Sequence, residues 1–199
     1  MKRVRLIPAL VLVLSACGSG EPVITATELA RIMPSAIAAP AGTTIGTDQV
    51  GPKRLDEFVS ATDVRVKLRS LGFRVAYTVT FSTANFTPDP AKAPFGSALY
   101  GTSAIVLRDA DAAHRGFTYY ESRLRKRAKD LTPILAQVGK ESFAFHFSSL
   151  EDTALPGVAY LFRVGNGLFS IVGVSNPDSV VANPARTLAT LIAGRAEKS

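Results

Sequence analysis

The sequence predicts an α+β fold: a mainly antiparallel sheet packed by helices in a two- or three-layer sandwich, forming a single domain. Three observations carry this. Phe73, Val75, Tyr77, Val79 and Phe81 alternate with small or polar residues, which is the pattern of a strand with one buried face. Val158–Val164 and Leu168–Val174 flank Gly165-Asn166-Gly167, a hairpin turn that makes its two strands antiparallel neighbours. Ala113, Phe117, Tyr120, Leu124, Ala128 and Leu131 recur with a 3.6-residue period, so residues 109–131 predict a helix long enough to cover a sheet face.

The remaining elements follow in order. Thr25 and Glu28 have capping-box spacing, and Leu29, Ile32, Met33 and Ala36 share one face. A short helix is expected over Thr25–Ile37, interrupted at Pro34. Residues 38–52 hold several Gly and Pro and read as a loop. A helix is expected within residues 53–71, with Asp63 capping its second part and Val64, Leu68 and Leu71 on one face. Gly72 suits the left-handed position that ends it. Residues 83–97 contain Pro88, Pro90 and Pro94, which no ladder accommodates, so they form a long loop.

A second strand spans 98–107. Asp109 or Asp111 caps the long helix, which ends before Pro133. Phe143, Phe145 and Phe147 alternate with Ala144, His146 and Ser148 as a further strand. Asn183 and Pro184 read as the N-cap and first residue of a closing helix, with Val181, Ala185, Leu188 and Ile192 on its apolar face.

The N-terminus determines where the protein is held. Lys2, Arg3 and Arg5 precede an apolar stretch, Leu6–Leu14, broken only by Pro8. That is the layout of a secretory signal peptide, shorter than the ~20 apolar residues of a membrane span. It closes with Leu14-Ser15-Ala16-Cys17, and Cys17 is the only cysteine in the chain. These four residues resemble the lipobox of bacterial lipoproteins. The resemblance implies a diacylglyceryl group on the Cys17 sulfur, removal of residues 1–16, and a new N-terminus at Cys17 carrying acyl chains such as palmitate. The expected organisation is a signal peptide over 1–16, a lipidated cysteine and flexible tether over 17–24, and one globular domain over 25–199. The expected location is the cell envelope, membrane-anchored, with the domain outside the cytoplasm.

The strand at Val138–Ser148, the hairpin around Gly165–Gly167 and the closing helix are also similar in pattern to the C-terminal half of PsbP-like and related lipoprotein domains. They resemble, too, the extracellular sensor modules of some bacterial kinases. The resemblance rests on element pattern and transfers no ligand residue.

Charge and chemistry narrow the function classes. Lys2, Arg3 and Arg5 supply three of the formal net charge of +7, so the mature chain is only mildly basic. Nucleic acid is not an expected partner. With a lone cysteine, a mature domain of this size has no disulfide and relies on its core. The two histidines, His114 and His146, lie in no metal-ligand motif, so no metal and no cofactor are expected. A site around His146 with Ser148, Ser149, Glu151 or Asp152 is conceivable, but order along the chain does not build a triad. Gly165-x-Gly167-x-x-Ser170 is followed by strand-like alternation, which argues for a hairpin over a dinucleotide loop.

Two features suggest binding. Arg115, Tyr119, Arg125, Lys126 and Lys129 fall on or beside the polar side of the predicted helix 109–131. They form either a solvated face or a contact site for anionic lipid, cell-wall polymer or an acidic protein. The eleven phenylalanines either fill the core or line an apolar cavity, with the loop bearing Phe86 and Phe95 as its lid. The sequence therefore predicts a non-enzymatic binding or interaction module at the envelope. The alternative is a carrier or sensor of a small apolar ligand in a Phe-lined cavity.

Overall fold

The computed structural model describes residues 20–46, 50–150 and 153–199. Cys17, the signal segment, Glu151 and Asp152 lie outside the described residues. The described chain begins with helix α1 (Ala26–Ile32) and a 3-10 turn (Ala36–Ala38), then strands β1 (Thr44–Ile45) and β2 (Gly51–Lys53). Helices α2 (Leu55–Phe58) and α3 (Thr62–Ser70) precede strands β3 (Val75–Ser82) and β4 (Ala98–Val106). Helix α4 (Ala110–Arg127) leads to β5 (Ala128–Lys129), β6 (Thr132–Ile134), β7 (Glu141–Phe147) and β8 (Ser149–Leu150). The hairpin β9 (Gly157–Val164) and β10 (Gly167–Ser175) and helix α5 (Ser179–Ala196) complete the fold.

The main sheet runs β1-β3-β4-β10-β9-β7-β6, with β2 also pairing β3, and every pairing is antiparallel. The β9–β10 hairpin lies at its centre. Every residue of β9 is buried, because helices cover both sheet faces. α1 and α5 pack on one face over Val79, Phe81, Tyr100, Phe162 and Phe169. α3 and α4 pack on the other over Ile105, Phe143, Phe145, Leu161 and Leu168. The result is a three-layer α+β sandwich.

Local chemistry explains the element ends. The capping box of α1 forms: the Glu28 amide donates to Thr25 Oγ1 at 3.3 Å, and the Thr25 amide donates to Glu28 Oε2 at 2.8 Å. Asp109 caps α4, accepting from the Ala112 amide at 2.7 Å. Gly72 ends the α3 corner at φ 69°, with the Phe73 amide reaching back to the Leu68 carbonyl at 3.1 Å.

Several expectations are corrected. α1 stops at Ile32, since Met33 is already extended before Pro34. The expected loop over 38–52 contributes two short strands that share the outer edge of β3. Tertiary pairing overrides the local Gly and Pro signals there. Asp63 does not cap α3; Ala61 occupies that position, and Asp63 lies in the first turn. α4 ends at Arg127, so Lys129 sits in β5 and Leu131 beyond it. The backbone turns extended at Ala128 to pair with β8. Pro133 is tolerated in the edge strand β6. α5 begins at Ser179 and carries Pro184 inside it, because Val181 is already fully buried against the sheet. The tether is also shorter than expected. Glu21 is hydrogen-bonded to Arg163, and Ile24 is fully buried, so residues 21–24 belong to the domain.

Candidate functional site

The sheet face under α3 and α4 is unevenly covered. α4 lies over β9 and β10, where Ala112, Ala113 and Phe117 pack against the apolar floor. On β3 and β4 the same face carries Thr78, Thr80, Gly101 and Ser103, which are too small and polar to hold a helix by apolar burial. A groove therefore remains between α4, the α2–α3 corner and the sheet.

The groove encloses about 510 Å³ and is partly open to solvent, which is the size range of small-molecule sites, ~300–1,000 Å³. Phe58, Val59 and Val64 form one wall, Tyr120 and Leu124 the other, and Ile105, Leu161, Leu168 and Val172 part of the floor. A second depression shares Phe58, Ser103, Ser170 and Val172 and extends the groove over Thr78, Thr80 and Gly101 to Lys53 and Glu57.

Two hydroxyls meet on the floor. Ser103 and Ser170 are direct cross-strand partners, and their Oγ atoms are 2.8 Å apart. One hydroxyl donates to the other, so the pair retains a donor and acceptor capacity for a ligand. Arg123 and Arg127 bring positive charge to the α4 side of the groove. Arg123 donates to the Asp63 carboxylate at 2.7 Å, joining α4 to α3. That hydrogen bond holds the Asp63 carboxyl below its usual range. Lys67 lies over the Tyr119 ring at 5.8 Å, a second link between the two helices.

The residues singled out from the sequence do not converge. Arg115 sits near the N-terminus of α4, whereas Arg125 and Lys126 lie in its last turn and Lys129 follows in β5. Ten residues of helix separate Arg115 from Arg125, about 15 Å. Arg125 is engaged: it donates to Glu121 at 2.7 and 3.0 Å and lies over the Phe143 ring at 4.1 Å. Tyr119 is half-buried against Tyr120, centroids 5.5 Å apart.

His114 pairs with Glu141 at 2.9 Å, and His146 with Asp178 at 3.1 Å. Ser148 turns to Asp130 instead of His146. Among the described residues, no group of three or more His, Cys, Asp or Glu is placed to hold a metal ion. The phenylalanines of β7, β9 and β10 pack against one another and the helices. In the Pro-rich loop Phe86 is half-buried at the core edge and Phe95 is 85% exposed; neither lines the groove. Phe58 and Phe169 line the groove, the phenylalanines of β7 do not, and the loop bearing Phe86 and Phe95 does not lid it.

The groove residues Ser103 and Thr78 went unremarked in the sequence. Their signal is nonetheless present. Strands buried on both faces should read as continuous apolar runs, and Gly101-Thr102-Ser103 and Ser170 interrupt two such strands in register.

The fold and site define a class: a three-layer α+β domain with an open, amphipathic groove. No protein-family model and no curated protein matches the sequence. Among solved structures, the fold is similar to the extracellular domain of PknH from Mycobacterium tuberculosis. The TM-score is 0.61 at 9% identity, over 90% of this chain and all of that one. At that identity the likeness is one of fold. No helix among the described residues is long and apolar enough to cross a membrane.

Proposed function

We propose that this protein is a lipid-anchored, extracytoplasmic binding module that takes a small amphiphilic ligand in the groove and performs no chemistry on it. One observation carries the reading: the paired Ser103 and Ser170 hydroxyls lie between apolar walls in a groove of ligand size. An apolar ligand body would pack on Phe58, Val64 and Leu124, with a polar group bonded to the hydroxyls. The lipobox-like Leu14-Ser15-Ala16-Cys17 supports anchoring at the envelope, and the fold is one that also serves as an extracellular domain in PknH. Ser148 bonded to Asp130 supports a non-catalytic reading, since the hydroxyl two residues from His146 is engaged elsewhere. Arg125, Lys126 and Lys129, beyond the groove, form a basic patch suited to an acidic partner or cell-wall polymer.

The reading is tested by titrating the protein with 1-anilinonaphthalene-8-sulfonate, an amphiphilic anion. Saturable binding to wild type that is abolished in Ser170→Phe, with folding intact, supports it. Binding undiminished in Ser170→Phe and in Ser103→Ala/Ser170→Ala removes the groove as the site.

A further inference from the structure

The N-terminal segment is locked onto one end of the sheet. Ile24 donates its amide to Asn166 Oδ1 at 2.7 Å, and Asn166 Nδ2 donates to the Ile24 carbonyl at 3.2 Å and the Leu107 carbonyl at 3.1 Å. Glu21 is held by Arg163 and Lys140. Arg163 is almost fully buried and also bonds Glu141 at 2.9 Å and the Gly165 carbonyl at 2.9 Å. At Gly165 a Cβ would collide with the Pro22 carbonyl oxygen, so the segment passes directly over the turn between β9 and β10. The path from Glu21 onward is thus fixed by the domain.

Cys17 is four residues from Glu21. An extended chain covers at most ~3.6 Å per residue, so chain length limits the Cα of Cys17 to about 14 Å from that of Glu21. A lipid on Cys17 would bring this end of the sheet within roughly two Debye lengths of the headgroups at physiological salt, ~8 Å each.

That end is basic. The exposed Arg69, Arg74, Arg108 and Arg115 all lie there. Arg74 donates to the Arg108 carbonyl at 3.1 Å, and the Gly72 corner after Arg69 packs on the Arg108 side chain. Arg115 acts on Asp109 at the start of α4. The carboxylates nearby are Glu21, paired with Arg163 and Lys140, Glu141, paired with Arg163 and His114, Asp109, which offsets the charge of Arg108, and Glu28, bonded to Thr25. Arg69, Arg74 and Arg115 therefore carry most of the positive charge offered to solvent. Asp111 is exposed.

We propose that the sheet end bearing the β9–β10 turn is a membrane-contact surface for anionic phospholipid headgroups, with Arg69, Arg74, Arg108 and Arg115 as its contacts. The segment docked from Glu21 onward then keeps the anchor beside this end, so that it faces the bilayer and the last turn of α4 with Lys129 points away. The proposal uses the Cys17 anchor of the preceding reading only for delivery, and the surface is testable without it.

The chain from Cys17 onward holds every element of the fold and serves as the protein. With Cys17→Ser, its binding to vesicles containing phosphatidylglycerol is compared with binding to pure phosphatidylcholine. Replacing Arg69, Arg74, Arg108 and Arg115 by Gln is expected to weaken anionic-vesicle binding by roughly 100–1,000-fold. Replacing Arg125, Lys126 and Lys129 by Gln is expected to change it less than about twofold, because these residues lie at the far end. Equal loss in both sets, or loss only in the second, overturns the proposal.

Orientation is read separately on chain coupled at Cys17 to a maleimide phospholipid. The sequence contains no tryptophan, so one introduced residue is a clean reporter. Headgroup-nitroxide lipid should quench Asp111→Trp strongly and Thr132→Trp weakly. Equal or reversed quenching refutes the orientation. Because the anchor is synthetic, this result is independent of whether the cell lipidates Cys17.

Discussion

Arg123 on α4 donates to the Asp63 carboxylate on α3 at 2.7 Å, and this bond spans the rim of the groove. Both helices otherwise rest on the sheet through different residues, Val64 and Leu68 against Ala112, Ala113 and Phe117. With Lys67 over Tyr119, the bond ties the two helices together across the groove. Asp63 is 65% exposed, and a pair with one partner so solvated contributes little to stability. Asp63→Asn should leave the melting temperature nearly unchanged while accelerating release of 1-anilinonaphthalene-8-sulfonate in stopped-flow. A large fall in melting temperature with unchanged release would place the bond in the structural frame instead.

Arg163 is the buried centre of the N-terminal lock. Burial alone lowers its pKa, but hydrogen bonds to Glu21 and Glu141 more than offset this and raise it. Arg163→Met leaves Glu21 with Lys140 alone and Glu141 with His114 alone. The cost should be about 2–3 kcal/mol, below the ~3–5 of a fully buried pair because both carboxylates remain a quarter exposed. Denaturant unfolding measures it.

The same lock predicts a pH dependence. Hydrogen bonds from Arg163, then Lys140, hold the Glu21 carboxyl below its ordinary 4.5. A depressed folded-state pKa gives stability that is present above the unfolded value and lost as pH falls through the folded value. Stability should therefore decline below about pH 4.5, and Glu21→Gln should make that acid limb shallower. An unchanged limb in the variant would show that Glu21 does not titrate with folding.

The basic cluster at the end of α4 should prove heterogeneous. Arg125 lies over Phe143 and pairs with Glu121, so Arg125→Gln removes packing as well as charge. A loss of about 0.5–1 kcal/mol is expected from the cation–π contact. Lys126→Gln and Lys129→Gln should each stay within about ±0.5 kcal/mol. Thermal unfolding of the three single variants decides this.

The elements written in local periodicity were legible in the sequence: the alternation of β3, the Gly165 turn, the Thr25–Glu28 capping box and the stripe of α4 up to Leu124. Failures came where distant partners decide. β1, β2, β5 and β6 are each two or three residues long, and only their neighbours make them strands. The start of α5 is set by Val181 burying against the sheet, which no local capping signal encodes. The groove depends on Ser103 and Ser170 meeting across two strands that are 67 residues apart in the chain. Glu21 looked like tether because its partners, Lys140 and Arg163, lie more than a hundred residues away.

Anchoring at Cys17 has a direct signature. Intact mass of protein from its native membrane should show cleavage before Cys17 and added acyl chains. Cys17→Ala should move the protein to the soluble fraction with its fold intact, because all described elements begin at Ala26 or later. A mature N-terminus elsewhere with a free Cys17 thiol contradicts the anchor.

The central claim is that the groove holds a ligand against Ser103 and Ser170. Native mass spectrometry of protein extracted from its own membrane tests it most directly. The account predicts a non-covalent adduct of small-molecule mass on wild type that is absent from folded Ser170→Phe. The same adduct on both proteins, or none on wild type, would contradict it.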